Sequence, residues 1–228
     1  MKRISTRYFV ALIVCLPFVA GAQEKQRFAN MDEALQAGAI LRGRQGPQNV
    51  NWIEGGARFS YTDRDARTGT PLIRAYDPPT GKDTVLFTTT GVTFPGTNQP
   101  FTYDGFEWAA DSKHLVFQTN FRPIYRRSGI SDYYIYSLAN RSMQLATKDA
   151  RTGELSPNGA MLGFERDGDM YVTTLANHQE KRLTKDASEH AYNGHFDWVY
   201  EEEFGLARPQ RTDDKFRHAS SSMIVPNH

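Results

Sequence analysis

From Trp52 onward, apolar residues fall in short aromatic and β-branched stretches that alternate with polar positions. Gly, Pro, Asn and Asp separate them. A period near two with turn residues between runs predicts β-strands. The pattern repeats. Trp52-Ile53-Glu54-Gly55-Gly56-Ala57-Arg58-Phe59-Ser60-Tyr61 aligns with Trp108–Phe117, and again with Leu155–Phe164. Each copy is an apolar start, a tight turn and an alternating strand. A second strand follows each one, at Leu72–Tyr76, Tyr134–Leu138 and Met170–Thr173. Closing strands follow at Thr84–Phe87, Met143–Ala146 and Lys181–Thr184. About four strands every ~45 residues is the period of a propeller blade. The expected class is therefore all-β: a partial β-propeller of about three blades, plus the start of a fourth near Tyr192. A β-sandwich with coincidental turns is the alternative. Ahead of the strands, residues 23–50 are polar, with one helical candidate at Met31–Ala37 that is expected to pack on the main body. Gly43, Gly46 and Pro47 read as a loop.

The N-terminus has a different pattern. Lys2, Arg3 and Arg7 precede an apolar run from Tyr8 to Ala20, and Ala20-Gly21-Ala22 supplies a small-x-small cleavage pattern before Gln23. The run is short and contains Pro17, so residues 1–22 read as a secretory signal peptide and not as a membrane span. The single cysteine, Cys15, lies inside it. The mature chain then has no thiol, no disulfide and no cysteine metal site. Its formal charge changes from +1 to −2, with 24 basic residues against 26 acidic. That balance gives no electrostatic case for nucleic acid. Export to a bacterial periplasm is expected, with no membrane attachment after cleavage.

Candidate chemistry concentrates at Phe196-Asp197-Trp198-Val199-Tyr200-Glu201-Glu202-Glu203-Phe204, where three consecutive carboxylates sit among large aromatics. Carboxylates that converge in a partly dry pocket suit a cationic ligand. An acidic surface patch is the plain alternative. The string Asp-Trp-Val-Tyr-Glu-Glu-Glu resembles the substrate-amine motif of the dipeptidyl peptidase IV family, serine exopeptidases of the prolyl oligopeptidase class. Tyr192-Asn193-Gly194 is similar to that family's lead-in. The resemblance covers residues ~40–206 and implies that Glu202 and Glu203 grip the N-terminal ammonium of a peptide substrate. An α-ammonium has a pKa near ~8 and is largely protonated at neutral pH. Asn120-Phe121-Arg122-Pro123-Ile124-Tyr125-Arg126-Arg127-Ser128 is similar to the family segment whose arginine binds a peptide carbonyl. That role maps onto Arg126. Tyr125 stands where Trp is common, and Arg127 is a second candidate. Asp197, Trp198, Tyr200 and Glu201 are expected to support the site.

The family's catalytic serine lies on a Gly-x-Ser-x-Gly elbow in an α/β-hydrolase domain, followed by Asp and His. This chain contains no such elbow. His114, His178, His190, His195, His218 and His228 show neither triad context nor metal spacing, and read as surface or turn residues. No catalytic residue, metal or cofactor is assigned. Residues 208–228 lack strand alternation and are read as a divergent, disordered tail, the product of truncation or a frameshift. The propeller then spans residues 51–207. The resemblance implies the N-terminal portion of an exported exopeptidase whose complete form releases N-terminal X-Pro or X-Ala dipeptides. A separate hydrolase domain would be its partner. The alternative is a non-catalytic module that binds peptides or another protein.

Overall fold

The computed structural model describes residues 28–41, 46–188, 191–204 and 224–226. The expected signal peptide lies outside them. Two compact units are present, residues 1–45 and 46–228. In the first, helix α1 (Met31–Leu41) extends the Met31–Ala37 candidate. Asn30 caps it, its Oδ1 accepting the Glu33 amide at 2.8 Å, while Glu33 reaches back to the Ala29 amide at 2.6 Å. The pairing is a variant of the capping box, with Glu33 on the amide of the residue before the N-cap.

The second unit is built from antiparallel strands. β1 (Gln48–Ile53), β2 (Arg58–Arg64), β3 (Pro71–Asp77) and β4 (Lys82–Thr88) form one four-stranded sheet in sequence order. β5 (Gly105–Trp108), β6 (His114–Pro123), β7 (Gly129–Ser137), β8 (Ser142–Leu155), β9 (Met161–Arg166), β10 (Asp169–Thr174) and β11 (Gln179–Arg182) form a seven-stranded meander. The three repeat copies adopt the same register: Trp52 faces Phe59, Trp108 faces Leu115 and Leu155 faces Leu162.

One boundary differs from the expected pattern. The closing strand of the second blade and the opening strand of the third are a single element, β8. Its first part pairs with β7 and its second with β9. No Gly or Pro interrupts Met143–Thr152, so nothing stops the strand. The change of partner is absorbed at Asp149 and Thr152, both with left-handed φ near 50°, where the register shifts. Such positions act as bulges that bend a strand and re-aim its side chains.

The middle blade is buried on both faces. Leu115, Phe117, Tyr134 and Tyr136 pack against Ile73 and Phe87 of the first blade. Val116, Tyr133 and Ile135 pack against Leu155, Leu162 and Phe164 of the third. Burial on both sides explains the unbroken apolar runs at 115–117 and 133–136. Each such side chain contributes about 1.5–3 kcal/mol. The Trp108 indole donates to Ser60 Oγ at 2.6 Å, joining the first two blades through a polar atom that would otherwise be unpaired.

At the expected start of a fourth blade, β12 (Ala191–Asn193) pairs with β13 (Ile224–Pro226). β13 falls in the tail where no strand was expected, because three residues are too few to show alternation. The rest of 208–228 lies outside the described residues.

Gly153 tests how tightly the joined sheet is packed. A Cβ there would stand 2.5 Å from the Tyr133 ring, which is only 3% exposed. Gly153→Ala is expected to lower stability by about 1–3 kcal/mol, through overpacking alone. Urea unfolding measures this, and an unchanged midpoint would mean that the Tyr133 ring can yield.

Candidate functional site

The motif Trp198–Glu203 forms a short helix, α2. Asp197 is its N-cap, with extended backbone and Oδ1 accepting the Tyr200 amide at 3.1 Å. Gly194, with φ +85°, turns the chain from β12 toward this helix, and a Cβ there would lie 3.1 Å from Met170 and 3.4 Å from Glu165. Thr152 Oγ1 donates to the Gly194 carbonyl at 3.1 Å, and the Asn193 amide donates to the Gly168 carbonyl at 2.9 Å. The approach to α2 is thus tied to β8 and to the β9–β10 turn.

The three glutamates meet different surroundings. Successive helical residues leave the axis about 100° apart, so the three side chains set out in different directions. Glu201 is fully buried. Its Oε2 accepts the Ser128 hydroxyl at 2.5 Å and its Oε1 accepts Arg151 Nη2 at 2.9 Å. The same Nη2 lies 3.3 Å from Ser128 Oγ, closing a three-membered ring of contacts. Glu202 is largely covered, its side chain 14% exposed, and its Oε2 stands 3.5 Å from Arg126 Nε. Glu203 is exposed. Among the candidates, the structure therefore brings Arg126 and Glu202 together. Arg127 is exposed.

The aromatic flank does not enclose the acidic run. Trp198, Val199, Tyr200 and Phe204 are all exposed, and Tyr200 stacks on Phe196 with ring centroids 5.4 Å apart. Burial of Glu201 comes from the other side, from β8 and the β6–β7 loop. Beside the helix lies a cavity of about 360 Å³ whose walls include Tyr125, Arg151, Tyr192, His195, Asp197 and Trp198.

Arg151, Ser128 and Glu165 were not identified from the sequence, and His195, expected as a surface or turn residue, is largely covered and lines the cavity. The His195 side chain is 9% exposed, with Nδ1 3.7 Å from Glu165 Oε2. Arg151 Nε approaches the same oxygen at 3.6 Å. Glu165 Oε1 accepts the Gly168 amide at 2.5 Å. Burial pushes the Glu165 carboxyl up, against the pull of that amide and of the Arg151 charge. Burial, reinforced by the Arg151 charge, lowers His195 to about 4. No sequence signal could have found these groups, because each lies on a different strand or turn.

Two stability measurements follow. Glu201→Ala would take from the largely covered Arg151 guanidinium its hydrogen-bonded carboxylate, leaving only Glu165 at 3.6 Å, an effect of about 2–4 kcal/mol. Glu203→Ala, at an exposed position, is expected to stay within about 0.5 kcal/mol. Equal effects in urea unfolding would contradict the buried placement of Glu201. For His195, the unfolded side chain takes up a proton near ~6.5 while the folded one does so only near about 4. Its contribution is therefore lost as pH falls through that interval, by up to about 3 kcal/mol. Glu165 acts in the opposite sense, favouring the folded state as it protonates. His195→Gln is expected to make the acid side of the stability profile shallower, and an unaltered slope would refute this.

Residues 109–208 match the family model described as the dipeptidyl peptidase IV (DPP IV) N-terminal region. Over 162 residues the chain is 28% identical to a protein of Schizosaccharomyces pombe named as a dipeptidyl aminopeptidase, covering 68% of this chain and 19% of that relative. It is 28% identical over 114 residues to dipeptidyl aminopeptidase B of Saccharomyces cerevisiae, covering 50% of this chain and 14% of that protein. The crystal structure of Porphyromonas gingivalis dipeptidyl peptidase 4 superposes with a TM-score of 0.59 at 23% identity, over 80% of this chain and 26% of that one. That likeness shows the fold. The chain thus spans about a fifth or less of the two curated relatives. The matched segment, 109 to 208, holds both the Arg126 loop and the Glu201–Glu203 helix.

Proposed function

We propose that this chain is the substrate-amine-binding propeller portion of an exported dipeptidyl peptidase IV-like serine exopeptidase. Glu202 and Glu203 hold the N-terminal ammonium of a peptide, and Arg126 receives a carbonyl of the same peptide. The observation that carries this reading is the 3.5 Å approach of Arg126 and Glu202 from separate segments. A carboxylate next to a guanidinium presents the two charges complementary to an N-terminal residue, whose ammonium and carbonyl lie close together. Guanidinium offers donors in a fixed fork that suits carbonyl oxygen. Tyr125 and Trp198, exposed at the adjoining cavity, give the peptide's side chains apolar surface. Holding the amine at a fixed distance from a scissile bond would count residues from the N-terminus. In the complete enzyme a hydrolase domain would supply Ser, Asp and His, and dipeptides ending in Pro or Ala would leave through an acyl-enzyme. The leader at residues 1–22 supports export, with a mature N-terminus at Gln23 that intact-mass measurement of the secreted protein reads directly.

Calorimetric titration of the chain with an X-Pro peptide tests the site. A free-amine peptide is expected to bind at least about thirtyfold more tightly than its N-acetyl form, the lower end of about 2–5 kcal/mol for a desolvated charge pair. Binding should weaken as pH rises through ~8, where the ammonium loses its proton. Glu202→Ala and Glu203→Ala should each abolish the preference. Equal affinity for the two peptides would reject the proposal.

A further inference from the structure

We infer that Arg151, together with Ser128 and Glu201, is a positioning device that sets the distance and angle between Arg126 and Glu202. This inference rests on the amine-binding reading above and extends it to residues that do not touch the ligand. Arg126 and Glu202 stand on elements that share no strand pairing: the loop between β6 and β7, and helix α2. The 3.5 Å contact between them cannot hold those elements in place, because the Arg126 side chain is 74% exposed. Exposed pairs contribute little and are easily broken. What joins the two elements is underneath. Ser128 is two residues from Arg126 and Glu201 is one residue from Glu202, and these two are bonded at 2.5 Å.

Arg151 closes the arrangement from a third element. Its Nη2 reaches Glu201 at 2.9 Å and Ser128 at 3.3 Å, and its side chain is 11% exposed. The strand beneath it is itself constrained. Left-handed Asp149 and Thr152 bracket it, and Thr152 holds the Gly194 carbonyl on the approach to α2. Arg151 Nε also lies 3.6 Å from Glu165 Oε2, a charge contact without a hydrogen bond, so the geometry is set by Glu201 and Ser128. Loop, helix and strand therefore share one buried polar junction, and a residue pair above it inherits that geometry. A binding pair held by a supporting shell needs its partners fixed to within about 0.5 Å.

The test is the ratio of dissociation constants for N-acetyl and free-amine X-Pro peptides, measured on the whole chain. Partial unfolding scales both constants equally and leaves the ratio unchanged, whereas a displaced Glu202 changes it. Ser128→Ala keeps the Arg151–Glu201 ion pair and is the mild variant. Arg151→Lys keeps the charge but cannot reach both partners. Each is expected to reduce the ratio by about threefold or more, and Arg151→Met by about tenfold or more, as misplacement at a binding centre does. If Arg151→Met does not fold, Ser128→Ala and Arg151→Lys decide. Unchanged ratios in those two variants, with wild type discriminating, would overturn the positioning role and leave the amine site intact. A wild-type ratio near one would overturn both.

Discussion

A carboxylate with no exposure to water has to be matched, and Glu201 imposes that condition on this structure. Leaving one buried charge unpaired costs several kcal/mol. The Ser128 hydroxyl and the Arg151 guanidinium meet the requirement from two directions. Satisfying Glu201 therefore fixes where the β6–β7 loop, the second half of β8 and helix α2 stand relative to one another. Helix α2 has only six residues, too short to persist by its own backbone bonds. Its Asp197 cap and the Glu201 anchor hold it.

The anchor works because β8 is rigid where Arg151 leaves it. The strand belongs to two blades at once and lies against the doubly buried middle of the sheet, where Tyr133 and Ile135 meet Leu162 and Phe164. Two left-handed residues bend it on either side of Arg151. The cost of those conformations, about 1–3 kcal/mol each for non-glycine residues, is borne by the packing of both blades. The result is an arginine carried on the central strand of the sheet, with Glu165 on one side and Glu201 on the other.

Much of this architecture is legible in the chain. The Trp52, Trp108 and Leu155 copies mark three hairpins that share one register, since an apolar start and a tight turn leave a local trace. The Asp-Trp-Val-Tyr-Glu-Glu-Glu string marks the site by composition, and Asp197 is readable as a cap. Other features leave no local trace. Nothing in three consecutive glutamates says which one turns inward, because that depends on where Arg151 arrives from a strand some fifty residues earlier. The merging of two strands into β8 is invisible for a related reason: its bends fall at Asp149 and Thr152, and a β-branched threonine carries no local signal for positive φ. His195 reads as an ordinary loop histidine until Gly194 turns it beneath the surface, beside Glu165.

An ion pair is an expensive way to join three elements, since a well-packed apolar trio of the same volume is often as stable or more so. Its distinction is directional. Apolar side chains tolerate a slide of an ångström with little penalty, whereas a guanidinium bonded to both a hydroxyl and a carboxylate accepts a narrow range of distances and angles. A loop carrying Arg126 and a helix carrying Glu202 require that kind of restraint if their charges are to face one ligand. On this view the acidic run divides its labour by helical geometry. Glu201 points into the protein and sets the position, Glu202 stands at the boundary beside Arg126, and Glu203 faces outward. The buried member is the one whose charge no ligand can reach, because Ser128 and Arg151 already occupy both of its oxygens.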